Sequence, residues 1–151
     1  MNITHYFFTS LLFLISISNI HAQSTAEEIT EKFFIEFETS PEKAIDYAFS
    51  TNPWIIERNK DGIETVKNKL SNSLALVGEY HGFEKIVERK VGENLVLISF
   101  MVKYDRQPIR FNFVLYRPKD QWRVQNFKFD DNIDSELESS ASVDRLKQNW
   151  E

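Results

Sequence analysis

The chain contains no cysteine in 151 residues. Disulfides, thiol nucleophiles and thiolate metal sites are therefore excluded, as is a lipid anchor on a cysteine. Glycine is scarce, with four residues, and none falls in a phosphate-cradling loop or a nucleophile elbow. Only one of the three histidines, His81, follows residue 22, so no paired-histidine metal set exists after that point. Charge is missing from one end: residues 1–22 hold no Asp, Glu, Lys or Arg, and the formal charge of −5 belongs to the remainder. No apolar run is long enough to span a bilayer. The longest, Tyr6 to Ile17, falls short of the roughly 20 residues required.

That run is what the first residues do offer. It is rich in Phe, Leu and Ile and closes on Ser-Asn-Ile-His-Ala, with small Ala22 where a signal peptidase would cut. The segment 1–22 reads as a cleavable signal peptide that departs from the usual pattern by lacking Lys or Arg before Tyr6. The expectation is an exported protein, periplasmic or extracellular, beginning near Gln23. Without a cysteine for lipid or disulfide, it has no stable membrane anchor and must be held by its core. Ten of its 13 phenylalanines lie after residue 22 and are available for that core.

The chain after residue 22 is long enough for one domain. Ser24 with Glu27, and Thr25 with Glu28, are two overlapping capping boxes. Ala26, Ile29, Phe33, Phe34 and Phe37 then form one apolar helical face. Ser40 and Pro41 start a second helix, whose face is Ala44, Ile45, Ala48 and Phe49. Asn52-Pro53 ends it, because the residue before proline leaves the α region. Trp54 to Ile56 follow as a short apolar stretch. Asp61 to Glu64 has the form of a third capping box, and Ile63, Val66, Leu70 and Leu74 carry helical spacing.

From Gly78 onward strands dominate. Tyr80 to Val91 reads as a first strand, with Gly92-Glu93 as a two-residue hairpin turn. Leu95 to Tyr104 is apolar on both faces, as a central strand would be. Asp105 to Pro108 turns the chain. Ile109, Phe111, Phe113 and Leu115 then alternate with Arg110, Asn112, Val114 and Tyr116 in strict period two. After Pro118-Lys119-Asp120, the apolar set Trp122, Val124, Phe127 and Phe129 changes parity. A β-bulge at Gln125 or Asn126 would put all four on one face. The expected fold is α+β: three N-terminal helices packed on a curved four-stranded antiparallel meander, forming a cone-like domain over residues 23–130. Residues 131–151 form an acidic tail in which Val143, Leu146 and Trp150 allow a short docked helix.

The order of these elements resembles the nuclear transport factor 2-like superfamily, the cone-shaped α+β fold shared with ketosteroid isomerase and polyketide cyclases. Local echoes are Gly78-Glu79-Tyr80-His81-Gly82 entering the sheet, Phe113-Val114-Leu115-Tyr116 on the third strand, and Gln121-Trp122-Arg123-Val124 opening the last. The resemblance covers about residues 25–130. It implies a curved sheet wrapping the helices, a pocket at the wide end and an outer sheet face used in dimerisation. It implies no activity, because this fold carries enzymes, binding modules and assembly subunits alike.

An isomerase of that type needs a carboxylate base and an oxyanion hole of a tyrosine with a protonated acid. The helix over residues 26–38 carries no tyrosine, and Asp46 and Tyr47 on the second helix find no second acid to face them. Asp130, Asn132 and Asp134 mimic the start of a calcium loop, but the sixth and twelfth positions are Ser135 and Ala141 rather than Gly and Glu. Residues 103–129 carry a net charge of +5 and residues 130–151 a net charge of −5. The tail either lies on the sheet or is a solvated terminus. The basic stretch also interleaves with aromatics, as single-stranded nucleic-acid binders do. Phe111 and Phe113 belong to the buried alternation, however, and export removes that partner.

What remains are aromatic side chains with polar handles. Trp54 is expected at a pocket rim. Tyr80, His81, Tyr104 and Tyr116 lie at strand ends or opposite the apolar face, where ordinary sheet packing competes with ligand contact. The chain is thus read as an exported non-enzymatic binding or assembly domain with no cofactor, no metal and no nucleic acid. Its partner would be a protein or a small apolar ligand. Alternatives are a small-molecule enzyme of isomerase or cyclase type, and a homodimer formed through the sheet face.

Overall fold

The computed structural model describes residues 24–148; the expected leader and Trp150 lie outside them. Four helices come first: α1 (Ala26–Thr39), α2 (Pro41–Ser50), α3 (Pro53–Arg58) and α4 (Lys60–Val77). Four strands follow, β1 (Tyr80–Val91), β2 (Leu95–Tyr104), β3 (Ile109–Tyr116) and β4 (Arg123–Asp130), and then helix α5 (Ile133–Gln148). The sheet is an antiparallel meander in the order β1-β2-β3-β4. This is the expected α+β arrangement, and β2, apolar on both faces, is central.

Helix α1 starts where one of the two capping boxes places it. Thr25 Oγ1 accepts from Glu28 N at 3.1 Å, and Thr25 N donates to Glu28 Oε2 at 2.8 Å. Ser40 caps α2 through Lys43 N, with Pro41 in the first turn. Asn52 is extended (φ −125°, ψ 90°), as a residue before proline should be, and α2 stops there.

Three local readings change. Trp54, Ile55 and Ile56 are not a connecting stretch but belong to α3, which Pro53 opens. Helix α4 begins at Lys60 rather than at a box on Asp61, and Asn59 stands at its cap position without a side-chain bond. The β1–β2 loop has three residues, Gly92 to Asn94, closed by Val91 opposite Leu95. The bulge in β4 lies where parity required it. Val114 faces Asn126 and Leu115 faces Val124, so Gln125 is the extra residue.

Helix α1 places Phe33 and Phe34 over different strands of one sheet face. Phe34 stacks on Phe83 of β1, with centroids 3.7 Å apart, and meets Phe100 of β2 edge-on at 4.9 Å. Phe33 meets Phe113 of β3 at 4.9 Å and Phe127 of β4 at 5.4 Å. Ile109, Phe111, Phe113 and Leu115 are all buried beneath the helices. Each buried Phe contributes roughly 1.5–3 kcal/mol of transfer free energy, so this aromatic layer is the main stabilising element. The space between the helices and the sheet is filled by rings.

The other sheet face carries Leu97, Ser99, Met101, Asn112 and Val114, with Val91 and Tyr116 exposed at one end. Ser99 hydrogen-bonds Asn112 across it. At its other end Arg110 pairs with Asp130 at 2.8 Å and with Glu136 in the first turn of α5. Leu137, Val143 and Leu146 of α5 are exposed. Among the described residues no helix is long and apolar enough to cross a membrane.

Candidate functional site

The five candidate residues do not converge. Tyr80, His81 and Tyr104 gather where β1 begins and β2 ends. Tyr116 lies at the end of β3 on the outer face, opposite Leu95 and Arg123. Trp54 is on α3, beside the start of β4. By register, the β1 start and the β4 start are diagonally opposite corners of the sheet.

At the first corner Tyr80 and Tyr104 pair across the strands, with ring centroids 5.9 Å apart. Their hydroxyls are buried and have no hydrogen-bond partner among the described residues. Burial raises both phenols, with Tyr80 pushed up to about 12, so each stays neutral. Beside them Asp105 ties the start of β1 to the β2–β3 turn. It accepts from Glu79 N at 2.7 Å and from His81 Nε2 at 2.6 Å, while its own N–H donates to Glu79 O. The Glu79 amide, and then His81, hold its carboxyl below the usual aspartate range. Gly78 makes this approach feasible: its φ is +94°, and an added Cβ would lie 2.7 Å from Asp105 Oδ2. His81 and Asp105 are both about half exposed on a hairpin edge. The pair reads as a clamp between the end of α4 and the β2–β3 turn.

The other corner is concave. A groove of about 680 Å³ is lined by Ile29 and Lys32 of α1, Tyr47 and Ser50 of α2, Trp54 and Glu57 of α3, and Gln121, Trp122 and Arg123 at the start of β4. Ser24, Thr51 and Pro53 complete it. Its volume falls in the usual range for ligand sites, roughly 300–1,000 Å³. Ile29 gives it a buried apolar floor. Pro53 turns the chain out of α2, so that Ile55 and Ile56 pack inward while Trp54 stays 60% exposed. Trp122 is half-buried against the core edge.

Each aromatic ring of the groove has a cation over it. Lys32 Nζ lies 4.7 Å from the Tyr47 ring centre, the Arg58 guanidinium 5.9 Å from Trp54, and the Arg117 guanidinium 5.0 Å from Trp122. Arg117 is itself fixed by Asn94 Oδ1 and Glu93 O. The floor is anchored too. Val124 N donates to Thr51 Oγ1 at 2.8 Å, and Asn52 Nδ2 donates to Val124 O at 3.0 Å. These bonds hold the start of β4 against the end of α2, which brings Trp122 and Trp54 into one site. Burial, then Glu36 and Glu28, raise the Tyr47 phenol, so it too remains neutral.

The sequence points to Trp54 but not to its neighbours. Arg58 one turn after Trp54, and the Trp122-Arg123 pair directly after a turn, are the available signals. Neither says that the two segments meet. A smaller depression of about 350 Å³ lies between α4, the start of β3 and the end of β4, with Leu76, Val77, Ile109 and Phe129 around it. The calcium-like segment is a turn in which Asp130 Oδ1 accepts from Asn132 N and pairs with Arg110. Among the described residues no group of three or more His, Asp or Glu could hold a metal ion. No family model, no curated protein and no solved structure matches this chain.

Proposed function

We propose that this is an exported, non-enzymatic binding domain of the nuclear transport factor 2-like type, and that it holds its ligand in the groove between α1, α2, α3 and the start of β4. The observation that carries the reading is Trp54. A tryptophan left 60% exposed forfeits most of its burial energy. Here it shares a concave site with Tyr47, Trp122 and several hydrogen-bonding side chains. A bound partner would cover it.

Two features support binding over catalysis. The helix-covered sheet face, where an isomerase of this fold type would hold its substrate, is packed with Phe33, Phe34, Phe111 and Phe113. His81 sits at the diagonally opposite corner and is engaged by Asp105. Export rests on the pattern of residues 1–22, with cleavage near Ala22-Gln23.

The test uses cells producing the full chain with a photoreactive residue in place of Trp54. Irradiation is expected to yield a defined adduct that disappears when Trp122→Ala is added. The same residue at Asn68, exposed on α4 and outside the groove, should give none. Equal labelling at both positions would refute the groove. N-terminal sequencing of the same purified product should begin at Gln23; an intact Met1 would refute export by cleavage.

A further inference from the structure

We infer that the groove takes an acidic peptide segment carrying one aromatic or large apolar anchor side chain, supplied by a partner protein. The inference rests on the groove being the binding site.

The charge balance of the groove is the first argument. In a chain of net charge −5, it is lined by Lys32 and Arg123 and flanked by Arg58 and Arg117, against Glu57. Lys32, Arg58 and Arg123 form no ion pair among the described residues. Glu28 and Glu36, one helical turn on either side of Lys32, lie near enough to act on Tyr47 and moderate that end. Arg58, which stands over Trp54 and forms no ion pair among the described residues, is therefore the principal anion contact. An isolated guanidinium at a groove wall offers paired donors suited to a carboxylate.

The aromatic rings give the second argument. The face of an aromatic ring is normally negative and attracts cations. Each of these rings already has a cation over it, which offsets that negative potential. Cationic ligands such as quaternary amines are thereby disfavoured. An apolar or aromatic side chain beside carboxylates suits the site better.

The third argument is composition and reach. Tryptophan, tyrosine and arginine are the residue types that dominate binding energy at protein interfaces. The groove draws them from three separate segments of the chain, α2, α3 and the start of β4, which suits an extended ligand more than a single small group. Gln121, Glu57 and Ser24 supply donors and acceptors for a peptide backbone.

Fluorescence anisotropy on the purified protein tests this with labelled nonapeptides. The reference is Gly-Asp-Glu-Asp-Trp-Asp-Glu-Asp-Gly. One variant has Ser for Trp, and another has Lys for every acid. The reference peptide should bind, and the Ser variant should bind about tenfold more weakly, the equivalent of about 1.4 kcal/mol. The Lys variant should not bind. Trp54→Ala and Arg58→Glu should each weaken the reference peptide about tenfold or more, while Lys128→Glu, a charge reversal on the other sheet face, should leave it unchanged. Equal binding of the Ser or Lys variant overturns the inference, as does an equal loss in Lys128→Glu. If cellohexaose, a neutral oligosaccharide, binds in a Trp54-dependent way and the peptides do not, the peptide inference fails while the groove stands. If no probe gives Trp54-dependent binding, both fail.

Discussion

Asp105 shows how much one exposed side chain can organise. Its two oxygens accept from the Glu79 amide and from His81, and its approach requires the glycine at position 78. These contacts hold its carboxyl below the ordinary range. A depressed folded-state pKa means stability that is present above the unfolded value and lost as pH falls through the folded one. The contribution should thus be complete at neutral pH and fade below about pH 4, the usual aspartate value. Asp105→Asn keeps the shape but gives one acceptor in place of two charged oxygens. The variant should melt below the native chain at pH 7, and the gap should narrow toward pH 3. A gap of constant size would show that the charge is not responsible. The sequence marks Asp105 only as part of a turn, because its partners come from a distant segment. The position of Trp54 follows more directly from the sequence, since the proline before it ends α2 and opens α3.

Among the elements, legibility followed periodicity. The alternation from Ile109 to Leu115 is what a strand buried on one face must show, and all four apolar residues are buried. The parity change between Val124 and Phe127 located the Gln125 bulge for the same reason. Helix α3 was missed because six residues are too few to display a helical period. Helix α4 began early because its cap position forms no side-chain bond that would mark it. The groove was invisible because its walls are separate segments joined by two side-chain bonds from Thr51 and Asn52 to Val124. Thr51→Val preserves shape and removes the acceptor for Val124 N–H. Leaving that partly buried amide unpaired should cost about 1–3 kcal/mol, read as a lower denaturant midpoint. Amide exchange at Val124 should also accelerate. Unchanged exchange there would mean that the bond does not hold the strand.

For the whole molecule, the two sheet faces have opposite fates. One is closed by α1 and its phenylalanines. The other leaves Val91 and Tyr116 exposed beside half-buried Leu95, Leu97 and Val114. Pairing two copies across this face would cover those residues, with Arg110 and Asp130 at its far end. We expect the purified protein to show a concentration-dependent dimer mass by light scattering after size exclusion, abolished by Val114→Lys. A monomer at every concentration rules the pairing out. Such a dimer would leave the Trp54 groove open, since its helical walls stand on the opposite side of the sheet.

The position of α1 has a consequence for how the chain is made. Phe33 and Phe34 are among the first core residues to leave the ribosome, yet their partners lie on all four strands, ending with Phe127. Contacts of such long sequence separation form late, after the entropy of closing the chain has been overcome. Until β4 is synthesised, the first helix has no complete surface to rest on. Under the export proposed above, that delay would keep the chain threadable, because its core cannot close until the last strand has been made.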